Sequence, residues 1–260
     1  MLKAEPEYCN CVTMKLIYVI IISLVSLNLS AKRAGVSEIH ANFGYVVSNY
    51  TLKLNGGGFI PVTEGDPSGI SFGLGGNWNF YNTQKEVFGL DLNSNFNANF
   101  MSDTIGGGEV ELDHTQFDLS VRPFWRIGDI HPYVIFGIGY NSFDLSDGFN
   151  SFDKGTAFAP RFGFGVSINL NDFVYINPYF NWTYAKAPSI EVLPNQFLEL
   201  DSSSMFEFGL PVFFDITENF SLGFELKHIN MSPWEESMYG ISGTLEFHET
   251  LFLVRSDLVF

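Results

Sequence analysis

The chain has little charge, and most of what it has is of one sign. Only 16% of its 260 residues are charged, with 13 Lys and Arg against 29 Asp and Glu, for a net charge of −16. An ordinary soluble domain is about one quarter charged, so this surface is not built to face water everywhere. The shortage of Lys and Arg excludes nucleic acid as a partner, because no basic face exists to displace phosphate counterions. Cysteine is nearly absent. Cys9 and Cys11 both precede the patterned part of the chain, which therefore has no disulfide framework. Their C-x-C spacing lacks the further ligands that a four-coordinate zinc site needs. A cysteine-free remainder fits passage through an oxidising compartment. The five histidines are scattered and mark no metal cluster, and no cofactor is implied. Long apolar runs are scarce as well. One occurs near the N-terminus, although 46% of the residues are hydrophobic and 28 are Phe. The remaining apolar residues must therefore be interleaved with polar ones.

The single run is Leu16 to Ala31, preceded by Met14-Lys15. A short basic start, an apolar stretch of about 14 residues and a small residue at its end have the order of a secretory signal peptide. The stretch is shorter than the roughly 20 residues a spanning helix needs. Cleavage is expected after Ala31, with Ala34 and Ala41 as weaker sites. This divides the chain into an N-terminal extension plus signal peptide, 1–31, and a mature domain, 32–260. A retained anchor is the alternative.

Through the mature region, apolar and polar residues alternate with a period of two, the signature of strands with unlike faces. In 69–81, Ile70, Phe72, Leu74, Trp78 and Phe80 oppose Ser71, Gly73, Gly75, Asn77 and Asn79. In 86–100, Phe88, Leu90, Leu92, Phe96, Ala98 and Phe100 oppose Asp91, Asn93, Asn95, Asn97 and Asn99. The same alternation recurs in 115–126, 156–170 and 205–216. A soluble barrel would turn the apolar set inward, whereas a membrane barrel turns it outward to lipid. The polar faces are rich in Gly and Asn, which suits a narrow lumen. Each apolar face carries four to six large residues, enough to cross an apolar band about 25 Å tall. The expected fold is all-β, an antiparallel up-and-down transmembrane barrel with polar faces inward.

The last ten residues, LFLVRSDLVF, place Phe252, Val254, Ser256, Leu258 and Phe260 on one face and Arg255 and Asp257 on the other. This strand resembles the C-terminal strand of bacterial outer-membrane β-barrels, whose final Phe is part of an assembly signal. The segment Pro132 to Asn141, PYVIFGIGYN, resembles the P-Y-x-x-x-G-x-G-Y strand of the OmpA-like and OmpX-like small barrels. The hairpins Phe162 to Tyr184 and Phe206 to His228 look similar to those of the same group. The resemblance implies a bacterial outer-membrane location and contact with outer-membrane lipids. It also implies handling by the barrel-assembly machinery, with Phe260, Leu258, Val254 and Phe252 as the assembly signal. Eight strands are usual in that group, and the extra length here departs from it.

Short connections fall at Asn82–Lys85, Gly128–Asp129, Asn171–Asp172, Thr217–Asn219 and His248–Thr250. Long polar ones fall at 54–68, 102–114, 145–155, 186–202 and 231–237. Outer-membrane barrels have short periplasmic turns and longer extracellular loops. The pattern gives eleven strands, ending with 220–229, 238–247 and 251–260, yet bacterial single-chain barrels use even numbers. Treating 231–250 as a long outer loop, with 238–247 extended above the membrane, leaves about ten, the preferred number. Splitting the first region at Ser48-Asn49 gives twelve, with the long loops then in the periplasm. Eight is the count of the resembling group.

The candidate site is a lumen charge network: Asp91, Asp118, Arg122, Arg161, Glu207, Glu225, Lys227, Arg255 and Asp257 all fall on polar faces. In a narrow barrel such charges must pair, because an unpaired buried charge is very costly. Barrels of this size are mostly filled, while open porins use about 16 strands. Three further features carry weaker chemistry. His228 to Ser232 is similar to the His-x-Ser-Asn motif of outer-membrane lipid A deacylases, but Asn230 stands where the Ser belongs. The loop Asp144 to Asp153 is loosely calcium-like but lacks full ligand spacing. Asp103, Glu109, Glu111 and Asp113 crowd 102–114 without Lys or Arg. The expected function is a non-catalytic outer-membrane barrel, structural or surface-interacting, its lumen plugged by polar side chains. The alternatives are a small-solute, porin-like channel and an outer-membrane lipid-modifying esterase. Trp78, Trp125 and Trp182 are expected near a membrane interface, and an extracellular ligand remains unnamed.

Overall fold

The computed structural model describes residues 37–55, 62–83, 87–105, 108–146, 152–186, 189–193, 196–198, 202–238 and 241–260. The expected signal peptide therefore lies outside the described residues. Ten antiparallel strands close into a barrel. They are β1 (Glu38–Asn55), β2 (Ser68–Asn82), β3 (Phe88–Ile105), β4 (Gly108–Trp125) and β5 (Ile130–Ser146). There follow β6 (Gly155–Asn169) and β7 (Val174–Ile176 with Tyr179–Lys186, interrupted at Asn177-Pro178). The last are β8 (Ser202–Thr217), β9 (Phe220–Met238) and β10 (Ile241–Val259). Each strand pairs with the next, and β1 pairs with β10 from Glu38↔Val259 to Asn55↔Ser242, which leaves the barrel without an edge. Pro178 breaks β7 because proline has no N–H to give the ladder. Its carbonyl still accepts from Val166 N at 3.1 Å.

Ten is the preferred count, and the eleventh segment of the raw pattern, 238–247, is not a strand of its own. His248–Thr250 is not a turn: 241–247 and 251–259 are one strand, continuously paired with β1 and β9. The loops expected at 231–237 and 102–114 are likewise mostly strand. Residues 231–238 extend β9 across an irregularity between Met231 and Trp234. Residues 102–105 and 108–114 extend β3 and β4 as a paired hairpin. Polar side chains on the outer face there mimic the composition of a loop.

These long strands cross more than a membrane. Eighteen residues at about 3.4 Å each, tilted by about 40°, rise roughly 45 Å, against an apolar band of about 25 Å. The polarity of the two faces changes along them accordingly. At the short-turn end β1 points Ile39, Phe43 and Tyr45 outward and Glu38, His40 and Asn42 inward. Higher up it points Asn49 and Lys53 outward and buries Tyr50, Leu52 and Leu54 inside. On β4, Trp125, Val121, Leu119 and Phe117 face out below, while Asp113, Glu111 and Glu109 take the same face above. The lower half is thus a membrane barrel, and the upper half has the polarity of a soluble one. The expectation of a polar lumen holds below and is corrected above, because a wall standing in water must bury its apolar face inside.

The belt is visible as exposed large hydrophobics around the whole lower wall, including Leu74, Phe136, Phe164, Phe208 and Phe224. Trp78, Trp125 and Trp182 lie on this outer wall, while Trp234 is buried in the upper interior.

Candidate functional site

Every residue of the expected lumen network points into the barrel. They form two tiers, the lower paired within and between neighbouring strands and the middle one tied across the lumen. In the lower tier Arg255 Nε meets Asp257 Oδ1 at 2.7 Å, and its Nη2 meets Glu38 Oε1 at 3.1 Å. Arg122 Nη2 meets Asp91 Oδ2 at 3.1 Å. The two guanidiniums lie over aromatic rings, Arg255 over Phe213 at 5.1 Å and Arg122 over Tyr133 at 4.8 Å, a favourable cation–π arrangement. Phe124, Tyr133, Tyr175 and Phe213 are buried here and make an aromatic floor, with Tyr175 and Phe213 stacked at 4.5 Å.

The middle tier centres on Arg161. Its Nη1 meets Asp118 Oδ1 at 2.8 Å and its Nη2 meets Glu207 Oε1 at 3.0 Å. Lys227 Nζ meets Glu207 Oε2 at 3.0 Å and donates to Gln116 Oε1 across the lumen at 3.3 Å. Asn181 Nδ2 donates to Glu207 Oε1 at 3.0 Å, and Tyr179 OH donates to Glu225 Oε1 at 2.7 Å. Small side walls make room for this tier. A Cβ on Gly163 would stand 2.2 Å from Asn181 Oδ1. The tiers line a polar cavity of about 100 Å³, room for a cluster of waters.

Above the tiers lies a seam that sequence reasoning missed. His114 Nδ1 of β4 meets Glu249 Oε2 of β10 at 2.8 Å, across the barrel, and both side chains are fully buried. Asn99 Nδ2 donates to the same oxygen at 3.1 Å, and Ser71 Oγ donates to Asn99 Oδ1 at 2.7 Å. Both members had been hidden by misread connections, His114 in a loop and Glu249 in a turn. The signal that finds them is parity. Counting in twos from Asp118 reaches His114, and from Asp257 reaches Glu249.

Above the seam the interior is an apolar roof of Tyr50, Leu52, Leu54, Leu112, Phe143, Leu145, Trp234, Leu245 and Phe247, among others. Its residual space is about 10 Å³. Phe143 meets Trp234 and Phe247 edge-on, at 5.7 and 5.4 Å. Trp234 Nε1 donates to Ala185 O at 3.0 Å, which satisfies its one polar atom.

The remaining candidates fall elsewhere. Phe252, Val254, Leu258 and Phe260 face outward on β10 and beyond its end, and Phe260 N donates to Ser37 O at 3.1 Å. His228 is on the outer wall, where its Nδ1 meets Thr250 Oγ1 at 3.0 Å. Ser232 uses its carbonyl oxygen to accept from Ser203 Oγ at 2.7 Å. In the calcium-like loop, 147–151 lie outside the described residues, and Asp144 meets Lys154 at 3.7 Å. Among the described residues no group of three or more His, Cys, Asp or Glu is placed to hold a metal. Glu109, Glu111 and Asp113 line the outer face of upper β4, with Asp144 directly opposite Asp113 on β5. Burial, then Asp144 and Glu111, push the Asp113 carboxyl above its ordinary range.

Neither a protein-family model nor a curated protein sequence matches the chain. Solved structures do. The chain is similar to the outer membrane protease OmpT from Escherichia coli, with a TM-score of 0.61 at 10% identity over 89% of this chain and 99% of that one. The fold is that of an outer-membrane β-barrel. The transport unit of the autotransporter AIDA-I from Escherichia coli gives a TM-score of 0.46 at 8% identity, covering 95% and 97% of the two chains. The translocator domain of NalP from Neisseria meningitidis gives 0.43 at 10%, covering 96% and 95%. At such identities the likeness is one of fold. The exposed apolar belt is the surface that a barrel of this fold presents to lipid. The architecture is a closed, antiparallel up-and-down barrel of ten strands.

Proposed function

We propose that the protein is a closed, non-catalytic outer-membrane barrel whose work is structural or done at its outer rim. The observation that carries this is the double obstruction of the lumen. A polar chamber with paired charges fills the membrane half, and an apolar roof fills the half above it. Either alone would hinder a solute, and an ion meeting the roof would lose its hydration without gaining partners. The long-loop end faces the exterior by the usual asymmetry of such barrels. Its outer face carries Glu109, Glu111, Asp113 and Asp144, which suits a cationic partner surface over nucleic acid. Export rests on residues 1–31 as a signal peptide, and insertion rests on Phe260 as part of the assembly signal.

Planar-bilayer recording of the full-length refolded protein at neutral pH is the test. No unitary conductance is expected, and discrete steps would establish the channel reading in its place. Mass spectrometry of the membrane-extracted protein is expected to place the N-terminus near Lys32, and an intact Met1 or Met14 terminus would remove the export argument.

A further inference from the structure

Eight of the nine lumen charges stand in ion pairs among the described residues, and Glu225 is the ninth. It is 8% exposed and lines the polar chamber. Its partner is the Tyr179 phenol, which donates to Oε1 at 2.7 Å. Tyr179 reaches it by lying across Gly209 of β8, where a Cβ would collide with the ring. A phenol bonds a carboxylate without cancelling its charge. The cations beside Glu225 are committed elsewhere. Lys227, two positions along β9, holds Glu207 at 3.0 Å. Arg255 of β10 holds Asp257 at 2.7 Å and Glu38 at 3.1 Å.

The chamber is short of donors as well as of positive charge. Asn42 and Asn181 line it, and the Oδ1 of each is buried without a hydrogen-bond partner among the described residues. A buried carboxylate without a counter-charge is strongly unfavourable. Water can donate to amide oxygens, yet it leaves that charge in place. A cation meets both needs, since carboxylate and carbonyl oxygens replace the hydration shell of a hard ion. One charge has to be cancelled. A monovalent ion does so, whereas a divalent ion would leave a positive charge buried instead. The cavity of about 100 Å³ has room for a small ion with part of its water.

We propose that the chamber is a binding site for one alkali-metal cation, anchored on Glu225 and completed by amide oxygens of the lumen wall. The ion is a structural counter-charge for the membrane half of the barrel. The site concerns the chamber alone and does not require the roof to be shut. Its position offers a direct substitute for the ion. Leu253 of β10 is paired directly with Glu225, is buried, and lines the same chamber. A lysine there would bring a covalently held cation to the carboxylate.

Urea unfolding of the full chain in lipid vesicles at neutral pH tests the site. Sodium chloride replaces choline chloride at constant ionic strength, which holds general screening fixed, and choline is too large for the chamber. The folded-to-unfolded ratio at one urea concentration is expected to rise at least about fivefold between no Na⁺ and about 0.4 M Na⁺, as a dissociation constant of about 0.1 M or tighter requires. Glu225→Gln keeps an acceptor for Tyr179 but removes the charge, and its ratio is expected to stay flat. Leu253→Lys is expected to stay flat too, because its ammonium occupies the place of the ion. Asp113→Asn, on the outer acidic face, is expected to keep the wild-type rise. A wild-type ratio that is the same in choline, Na⁺ and K⁺ overturns the site, whether or not the variants fold. So does a Glu225→Gln or Leu253→Lys variant that keeps the rise, or a rise lost in Asp113→Asn. A wild type that responds to Ca²⁺ and to neither alkali ion overturns the monovalent assignment.

Discussion

Arg161 gives the sharpest measure of how dry the lumen is. Its guanidinium holds Asp118 and Glu207 at 2.8 and 3.0 Å, and the three side chains are at most 6% exposed. Replacing it by Leu leaves Asp118 without its bonded cation. Glu207 keeps Lys227, so the damage falls mainly on one carboxylate. Breaking a buried pair from one side costs about 3–5 kcal/mol. The internal control is Lys53–Glu246 on the outer wall of the upper barrel, 3.4 Å apart with side chains 46% and 39% exposed. Lys53→Ala is expected to cost less than about 1 kcal/mol, because water screens an exposed pair. The double variant Arg161→Leu/Asp118→Leu removes the stranded charge and is expected to regain most of the loss. Urea unfolding in lipid vesicles, followed by tryptophan emission and by heat-modifiable gel mobility, compares the variants. If Arg161→Leu costs no more than Lys53→Ala, the chamber is hydrated like bulk solvent. Its charges then do not obstruct the lumen.

Three further outcomes follow from the same geometry. Leu92 faces outward in the belt and Asn93 faces the cavity, so Leu92→Arg is expected to cost about 2–4 kcal/mol near the bilayer midplane and Asn93→Arg less. Refolding titrations in vesicles that reverse this order would mean that the faces are inverted. Deleting Phe260, which is 65% exposed, gives up lipid burial worth only about 1.5–3 kcal/mol. Insertion in cells is expected to fall while detergent refolding persists, and equal losses in both assays would contradict an assembly role. Asp113 holds its proton more tightly in the folded barrel than in the unfolded chain, because burial, Asp144 and Glu111 raise its pKa. Its ionisation therefore costs stability, and the cost is relieved as pH falls through the raised value. Asp113→Asn is expected to stabilise the barrel at neutral pH and to change little at pH values below about 3.9, the ordinary aspartate value. A variant whose advantage grows in acid would have the wrong sign.

The membrane half was legible because its rule is simple. Phe252, Val254 and Leu258 against Arg255 and Asp257 is one alternation read without interruption, and the nine lumen charges all fall on its inward face. The upper half was misread because the alternation continues while its meaning reverses. On β4 the outward series Val121, Leu119, Phe117 runs on into Asp113, Glu111 and Glu109, and the inward series Asp118, Gln116, His114 runs on into Leu112 and Val110. Acidic residues in a row resemble a solvated loop when only composition is weighed. Followed by parity, they are the wet face of a wall whose dry face has moved inside. The same reversal explains the false turn at His248–Thr250. His248 and Thr250 are polar because they face out above the belt, while Glu249 between them is inward, buried and bonded to His114. A true turn would leave Glu249 in water, and period-two counting from Asp257 through Leu253 and Leu251 excludes that. What parity cannot supply is partnership across the lumen. His114 and Glu249 are 135 residues apart, and they meet only because closure of β1 on β10 brings the wall that carries Glu249 round to face β4. The chemistry at the seam is thus a property of the closed barrel, absent from any single hairpin.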